Sequence, residues 1–421
     1  MSLTKRDSRH IWHPLTQHKT AQEPLGLVRA EGALLYDEED NSYVDGIASW
    51  YTAMYGHCHP YIIQQVTAQM KKLDQVVFTG FTHEPAVSLS ERLLAILPDN
   101  QSRIFFNDNG STSVEAAIKM ALQYFHNLGE TKDTLIAFEN GFHGDTFGAM
   151  SASGLSVYNG PFEKYFLNVE RIPPPTENNI DAVLQQLSFL IREGNCAAFL
   201  YEPLVQGAAG MKMHDADGLD RILDMCKEAG ILCIADEVMT GFGKTANNFA
   251  SDHLTNKPDM ICLSKALTAG LVPMGITSCS DQVFQGFLSD KLEKGFFHAH
   301  TYSANPLACA AALAGLDLLD SKEVRQGIEM IGEAHTRFAQ GLKDDNRVRD
   351  IRQSGVILAF ELNVEMERYG NMRNRLYQEF MNRGVFLRPL GNTIYILPPY
   401  LIKPEELQRI YTAIKEVIDL F

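Results

Sequence analysis

Short, mainly apolar runs recur along this chain, each stopping at a polar or charged residue, with helical stretches between them. The runs 103–106, 134–138, 197–201, 231–235 and 260–263 have strand length, and four of them lead directly into Asn107, Glu202, Asp236 and the segment holding Lys265. Strands of this kind suit burial on both faces. Their alternation with helices predicts a mostly parallel sheet with helices on both faces, the α/β class. In such sheets the ligand sits outside the carboxyl ends of the strands. The residues there are Asn107–Ser111, Glu202, Asp236 and Lys265.

The rest of the chain frames that sheet. The first 50 residues alternate and carry the Gly, Asp and Asn punctuation of hairpins. Helices are expected at 61–73, at 86–97 up to Pro98, from about 114 to 128, and over the Ala/Leu-rich 305–320. Beyond it the pattern reads helix 329–342, strand 355–362, helix 372–383 and strand 385–397. At 421 residues the chain is long for one simple core. The expected division is a large domain at 56–314 and a smaller α+β domain made of 1–55 together with 315–421.

The bulk properties exclude several functions. The net charge of −15 makes nucleic acid and anionic membrane poor partners. Seven cysteines with irregular spacing and no C-x-x-C pattern point to a reducing compartment, with Cys226, Cys233, Cys262 and Cys309 in apolar runs. The opening residues have no apolar signal-peptide stretch, and the expected location is the cytoplasm. The stretch 260–280, uncharged but for Lys265, is broken by Gly270, Pro273 and Gly275, which argues against a membrane span. Gly241–Thr245 resembles the end of a phosphate-binding P-loop, but that motif needs glycine where Val238 stands. His57, Cys58 and His59 are adjacent and cannot all face one ion on a regular element, so no metal is expected.

Lys265 is the only charged side chain between Asp259 and Asp281. A lysine at the end of an apolar strand either snorkels or is neutralised, and a desolvated amine can form an imine with an aldehyde. Asp236, 29 residues earlier, could hydrogen-bond a pyridine nitrogen and keep it protonated, or simply cap a helix. Asn107–Ser113 follows a strand and opens a helix, where free N–H groups bind phosphate; Ser111 and Thr112 add hydroxyls. In the loop Gly141–Asp145 an aromatic, Phe142, could stack on a flat ring or pack in the core. Arg388 could clamp a carboxylate or form an internal ion pair.

Together, in this order and spacing, these features resemble the class III aminotransferases of fold type I. The matching residues are Gly110-Ser111, Gly141–Gly144, Asp236-Glu237, Lys265 and Thr301, and the likeness covers nearly the whole chain. It implies pyridoxal 5'-phosphate as cofactor and a homodimer with shared active sites. Lys265 would carry the cofactor as a Schiff base and shuttle the proton, with Asp236 on the pyridine nitrogen. Gly110, Ser111, His300 and Thr301 would hold the phosphate, the last two from the partner subunit. Phe142 and Val238 would cover the ring's two faces, with Glu202 beside it. Leu15, Trp50, Phe142, Lys265, Ala299 and Arg388 would meet substrate.

Within the class, Arg9–Pro14, Ser49-Trp50, Asn140–Met150, Val205–Ala208 and Arg388–Gly391 are similar to a biotin-pathway branch. Its members convert 8-amino-7-oxononanoate to 7,8-diaminononanoate by a ping-pong cycle through pyridoxamine phosphate. Leu15, Tyr51, Phe142, Lys244 and Ala299 depart from the residues usual there. Several lie on the substrate side, so the donor stands between S-adenosyl-L-methionine, the expected one, and lysine. The alternatives are a class III enzyme using ornithine, 4-aminobutyrate or a diamine, and a non-catalytic binding protein of the same fold.

Overall fold

The computed structural model describes residues 2–364 and 371–421. Its centre is a seven-stranded sheet in the order Gln101–Asn107, Gly275–Ser280, Met260–Leu263, Leu232–Asp236, Cys196–Tyr201, Thr134–Phe138, Val169–Ile172. The last five are mutually parallel. Gly275–Ser280 alone runs against both its neighbours. Only 11 residues separate Leu263 from Gly275. That is too short for a helical crossover, so the chain reverses instead. The sequence pattern contained no separate signal for this strand.

Successive residues of the inner strands feed two different cores. Leu135, Ala137, Leu232, Ile234, Met260 and Cys262 pack with Val114, Ile118 and Ala121 of the helix Gly110–Leu128. Ile136, Phe138, Cys233, Ala235, Ile261 and Leu263 face the opposite way, in a cluster that holds Leu187 and Ile222 of the helices Ile180–Arg192 and Ala216–Glu228. Side chains alternating across a strand require apolar residues at every position when both faces are covered. That is why the runs read as continuous. All seven cysteines are unpaired, and six are buried.

The two ends of the chain meet in a second sheet. Strands Leu27–Glu31, Leu34–Asp37 and Ser42–Asp45 form a meander, and Val385–Phe386 pairs in parallel with the last of them. A third, antiparallel sheet holds Val348–Ser354, Ile357–Leu362 and Thr393–Ile396. The single strand expected at 385–397 is thus two strands in different sheets. Pro389 lacks an N–H for a ladder and Gly391 sits at φ +65°, so the chain turns between them. Arg388 falls in that break.

Two helices begin earlier than their apolar period suggests. Gly110–Leu128 starts four residues before 114, because Asn109 caps it. Lys322–Leu342 starts seven before 329, capped by Ser321. No described helix is long and apolar enough to cross a membrane.

Candidate active site

A cavity of about 990 Å³ opens at the carboxyl ends of the parallel strands. Its lining includes Lys265, Asp236, Glu202, Gly110, Ser111, Phe142, Val238, Leu15, Trp50 and Arg388. Ten of the residues picked out in the sequence therefore converge on one space. Ala299, His300 and Thr301 do not line it.

One end of the cavity is built by the turn between Gln101–Asn107 and Gly110–Leu128. Asn109 accepts a 3.0 Å bond from Thr112 N–H, and Asn109 N–H donates to Thr112 Oγ1 at 2.9 Å. The cap therefore consumes the Thr112 hydroxyl, which was expected to be free for a ligand. The N–H groups of Gly110 and Ser111 lie in the first turn, where no carbonyl of the helix can reach them. They form a seat for a phosphate. A side chain at Gly110 would meet Val238 Cγ1 at 2.8 Å. At Gly144 (φ +136°) a Cβ would come within 2.4 Å of Ser111 Oγ. Gly110 is needed for close approach, and Gly144 both for close approach and for its positive φ.

The floor is acidic. Asp236, buried at its strand's end, has Oδ2 2.8 Å from His143 Nδ1, and its Oδ1 accepts from Val238 N–H at 3.1 Å. The carboxylate makes Nδ1 the protonated ring nitrogen, and His143 Nε2 is buried without a partner among the described residues. Glu202 Oε1 accepts from Phe142 N–H at 2.9 Å and Oε2 from Gly207 N–H at 2.8 Å. Burial pushes its carboxyl up to about 7, against the pull of His143. Glu202 thus fixes the loop that presents Phe142.

Lys265 follows the strand Met260–Leu263 at φ +49°, a left-handed conformation that a non-glycine residue adopts at a cost. Its Nζ makes no ion pair among the described residues and lies 5.8 Å from the Tyr51 ring centre. Burial lowers the amine below the ordinary lysine range, with Asp236 and Glu202 opposing. A lowered amine loses its proton more readily and is then a nucleophile.

The opposite wall is a strained turn. Ala48, Ser49, Trp50 and Tyr51 all have positive φ, and Tyr51, Thr52 and Ala53 donate back to Ile47 and Ala48 carbonyls. Left-handed helical turns cost roughly 1–2 kcal/mol per residue. Asp45, fully buried, holds this one in place: it accepts from Ile47 N–H at 3.2 Å and Ser49 Oγ at 2.8 Å, and pairs with His57 Nε2 at 2.8 Å. His57 is a strut here. Trp50 carries the Arg388 guanidinium 4.7 Å above its ring.

Sequence reasoning missed His143 and Arg373, which line the cavity, and named Tyr51, which lines it too, only as a departure from the family pattern. His143 stood in the quoted loop, and the charge of Asp236 needed a neighbour, so a signal existed. Arg373 carried none. Lys244, of the P-loop look-alike, is fully buried and donates to Gly241 O at 2.9 Å.

A seat of free N–H groups, a buried carboxylate aimed into the cavity and a lowered lysine amine fit a phosphorylated pyridine aldehyde in donor set and charge. Comparison with known proteins agrees. The model of the family described as aminotransferase class-III matches residues 16–418. The chain belongs to the class III aminotransferases, and it is a pyridoxal-phosphate-dependent transaminase of the fold type I class. It is 42% identical over 420 residues to the adenosylmethionine-8-amino-7-oxononanoate aminotransferase of Synechococcus elongatus, covering 97% of this chain and 98% of the relative. The crystal structure of the Methanocaldococcus jannaschii protein of the same name superposes with TM-score 0.93 at 31% identity, over 99% of this chain and 98% of that one. A PLP-bound amine transaminase from an uncultivated Pseudomonas species gives TM-score 0.91 at 27% identity, over 97% and 98%.

Proposed function

We propose that this transaminase converts 8-amino-7-oxononanoate to 7,8-diaminononanoate, a step of biotin biosynthesis, with S-adenosyl-L-methionine as amino donor. The observation that carries the reading is Arg388, a guanidinium facing the cavity from the break between two strands, with no ion pair among the described residues. The acceptor has a carboxylate far from its ketone and needs such an anchor. The names of the relatives support the choice of substrates.

When bound, the cofactor supplies the carbonyl that takes up the amino group and the ring that delocalises the resulting electron pair. The chain's residues do the rest. Lys265 Nζ would provide the attachment amine, and in its free form would accept the donor's α-proton and hand it to the carbon that had been the cofactor's carbonyl. Asp236, held by His143, keeps a proton on the ring nitrogen. Gly110 and Ser111 N–H groups take the phosphate, Phe142 and Val238 flank the ring, and Glu202 sits beside it. Leu15, Trp50 and Arg388 orient the substrate. Thr301, with His300 and Ala299, reaches the partner's site in a homodimer working in the cytoplasm.

The test is a half-reaction titration. S-adenosyl-L-methionine and lysine are added separately to the holoenzyme, and the visible cofactor band is followed. The reading expects S-adenosyl-L-methionine to bleach it and 8-amino-7-oxononanoate to restore it. Bleaching by lysine alone makes lysine the donor, and no restoration by this acceptor overturns the assignment.

A further inference from the structure

Arg388 is not alone in the cavity wall. Arg373 lines the same cavity from the first turn of the helix Asn371–Asn382. That helix packs on the strand Val385–Phe386, which leads directly to Arg388. One helix–turn–strand unit therefore delivers both guanidiniums, with Gly384 (φ +67°) making the turn. Burial raises the Tyr395 phenol to about 12, and the positive charges of Arg388 and Arg373 both pull against it.

Neither guanidinium has an ion pair among the described residues. Of the other arginines of the C-terminal part, Arg347, Arg349, Arg352 and Arg383 each have a carboxylate partner, while Arg375 lies over the Phe421 ring and Arg409 donates to Gly384 O. In a chain of net charge −15 carboxylates are plentiful. Two guanidiniums that line one cavity, neither ion-paired among the described residues, keep their donors for an anionic ligand. The same cavity is also lined by Leu15, Met150, Leu155, Leu271, Val272 and Leu390, side chains suited to methylene groups.

We infer that Arg373 is a second carboxylate-binding residue, which with Arg388 forms a two-guanidinium seat for the far end of an extended aliphatic acceptor. This rests on the reading that the acceptor carries a distal carboxylate. It adds a specificity determinant that selects long ω-carboxylates over uncharged chains.

The test uses nonanoate, a saturated C9 carboxylate with no reacting group, and 1-nonanol as its uncharged counterpart. Calorimetry on the holoenzyme compares wild type with Arg373→Gln, Arg373→Lys, Arg388→Gln and the double glutamine variant. The seat predicts that each single glutamine variant weakens nonanoate by about tenfold, the range for one charge-assisted hydrogen-bond pair. The double variant should bind nonanoate no better than nonanol. Arg373→Lys should recover part of the loss, and nonanol should bind all forms alike. Single-turnover rates should show the Arg373→Gln defect concentrated in the 8-amino-7-oxononanoate half-reaction. Wild-type affinity for nonanoate in Arg373→Gln overturns the inference, as does a wild type that binds nonanoate no better than nonanol. If the nonanoate series behaves as expected but 8-amino-7-oxononanoate is not turned over, the seat stands and the substrate assignment fails.

Discussion

His143 Nδ1 and Asp236 Oδ2 are 2.8 Å apart, and both residues are buried. The imidazole donates to the carboxylate and so holds it in one orientation, which is what a pyridine nitrogen requires of its partner. Asp236→Asn should therefore retain the cofactor but lower turnover by about 10²–10³-fold, the range for removing one preorganised electrostatic contact. His143→Ala should lose less. The rate of α-proton exchange from the donor is the measurement. A near-normal rate in Asp236→Asn would place the electron sink elsewhere.

The left-handed turn at residues 48–51 makes a second prediction. Asp45 is its buried brace, with three hydrogen-bonding partners. Asp45→Ala leaves them unsatisfied and should cost about 3 kcal/mol in urea unfolding. It should also raise the acceptor KM, because Trp50 and its stacked Arg388 lose their platform. A loss below about 0.5 kcal/mol, the level of an ordinary surface change, would mean that the turn is held by packing alone.

Lys244 predicts a pH effect. Burial pulls its amine down from 10.5 to about 7, with Lys265 adding to the fall and Glu237 opposing it. Unfolded, the amine keeps its proton up to the ordinary lysine range. Between pH 7 and 10 the unfolded chain thus binds more protons, and stability must rise with pH across that window. Below pH 7 both states are protonated and the full cost of burying the cation remains. Lys244→Met should flatten the rise and stabilise the protein at pH 7. Thermal unfolding of both proteins from pH 6 to 10 shows it. An unchanged slope in Lys244→Met would assign the effect to another group.

A homodimer with shared sites makes a complementation prediction. Lys265→Ala and Thr301→Ala are each expected to be inactive. Mixed and allowed to exchange, they should recover about a quarter of wild-type activity, since half of the dimers are hybrids with one intact site each. No recovery, with hybrid dimers demonstrated by mass, would mean that Lys265 and Thr301 act within one chain.

Much of this was legible in the sequence, for a physical reason. Strands buried on both faces must be apolar throughout, so a residue such as Asp236 or Lys265 that ends the run marks the sheet's carboxyl edge. What escaped depends on contacts made across the fold. Arg373 sits in an ordinary polar helix pattern, and only the packing of that helix on Val385–Phe386 brings it to the cavity. Tyr51 stood out only as a departure from the family pattern, and four successive positive φ angles are what turn it inward. The strand Gly275–Ser280 lay inside an uncharged stretch whose glycines and proline hid its start. Helix starts were misplaced where a cap, Asn109 or Ser321, rather than an apolar period set them.

The central claim is that Lys265, not another buried amine, holds the cofactor. Lys244 is the competing site, since it too is buried and its amine is lowered to about 7. Borohydride reduction of the holoenzyme fixes the cofactor to the amine that carries it, and peptide mass mapping then locates the label. The account predicts stoichiometric label on Lys265, and none in Lys265→Ala. Label on Lys244, or on any lysine outside the cavity, would contradict it.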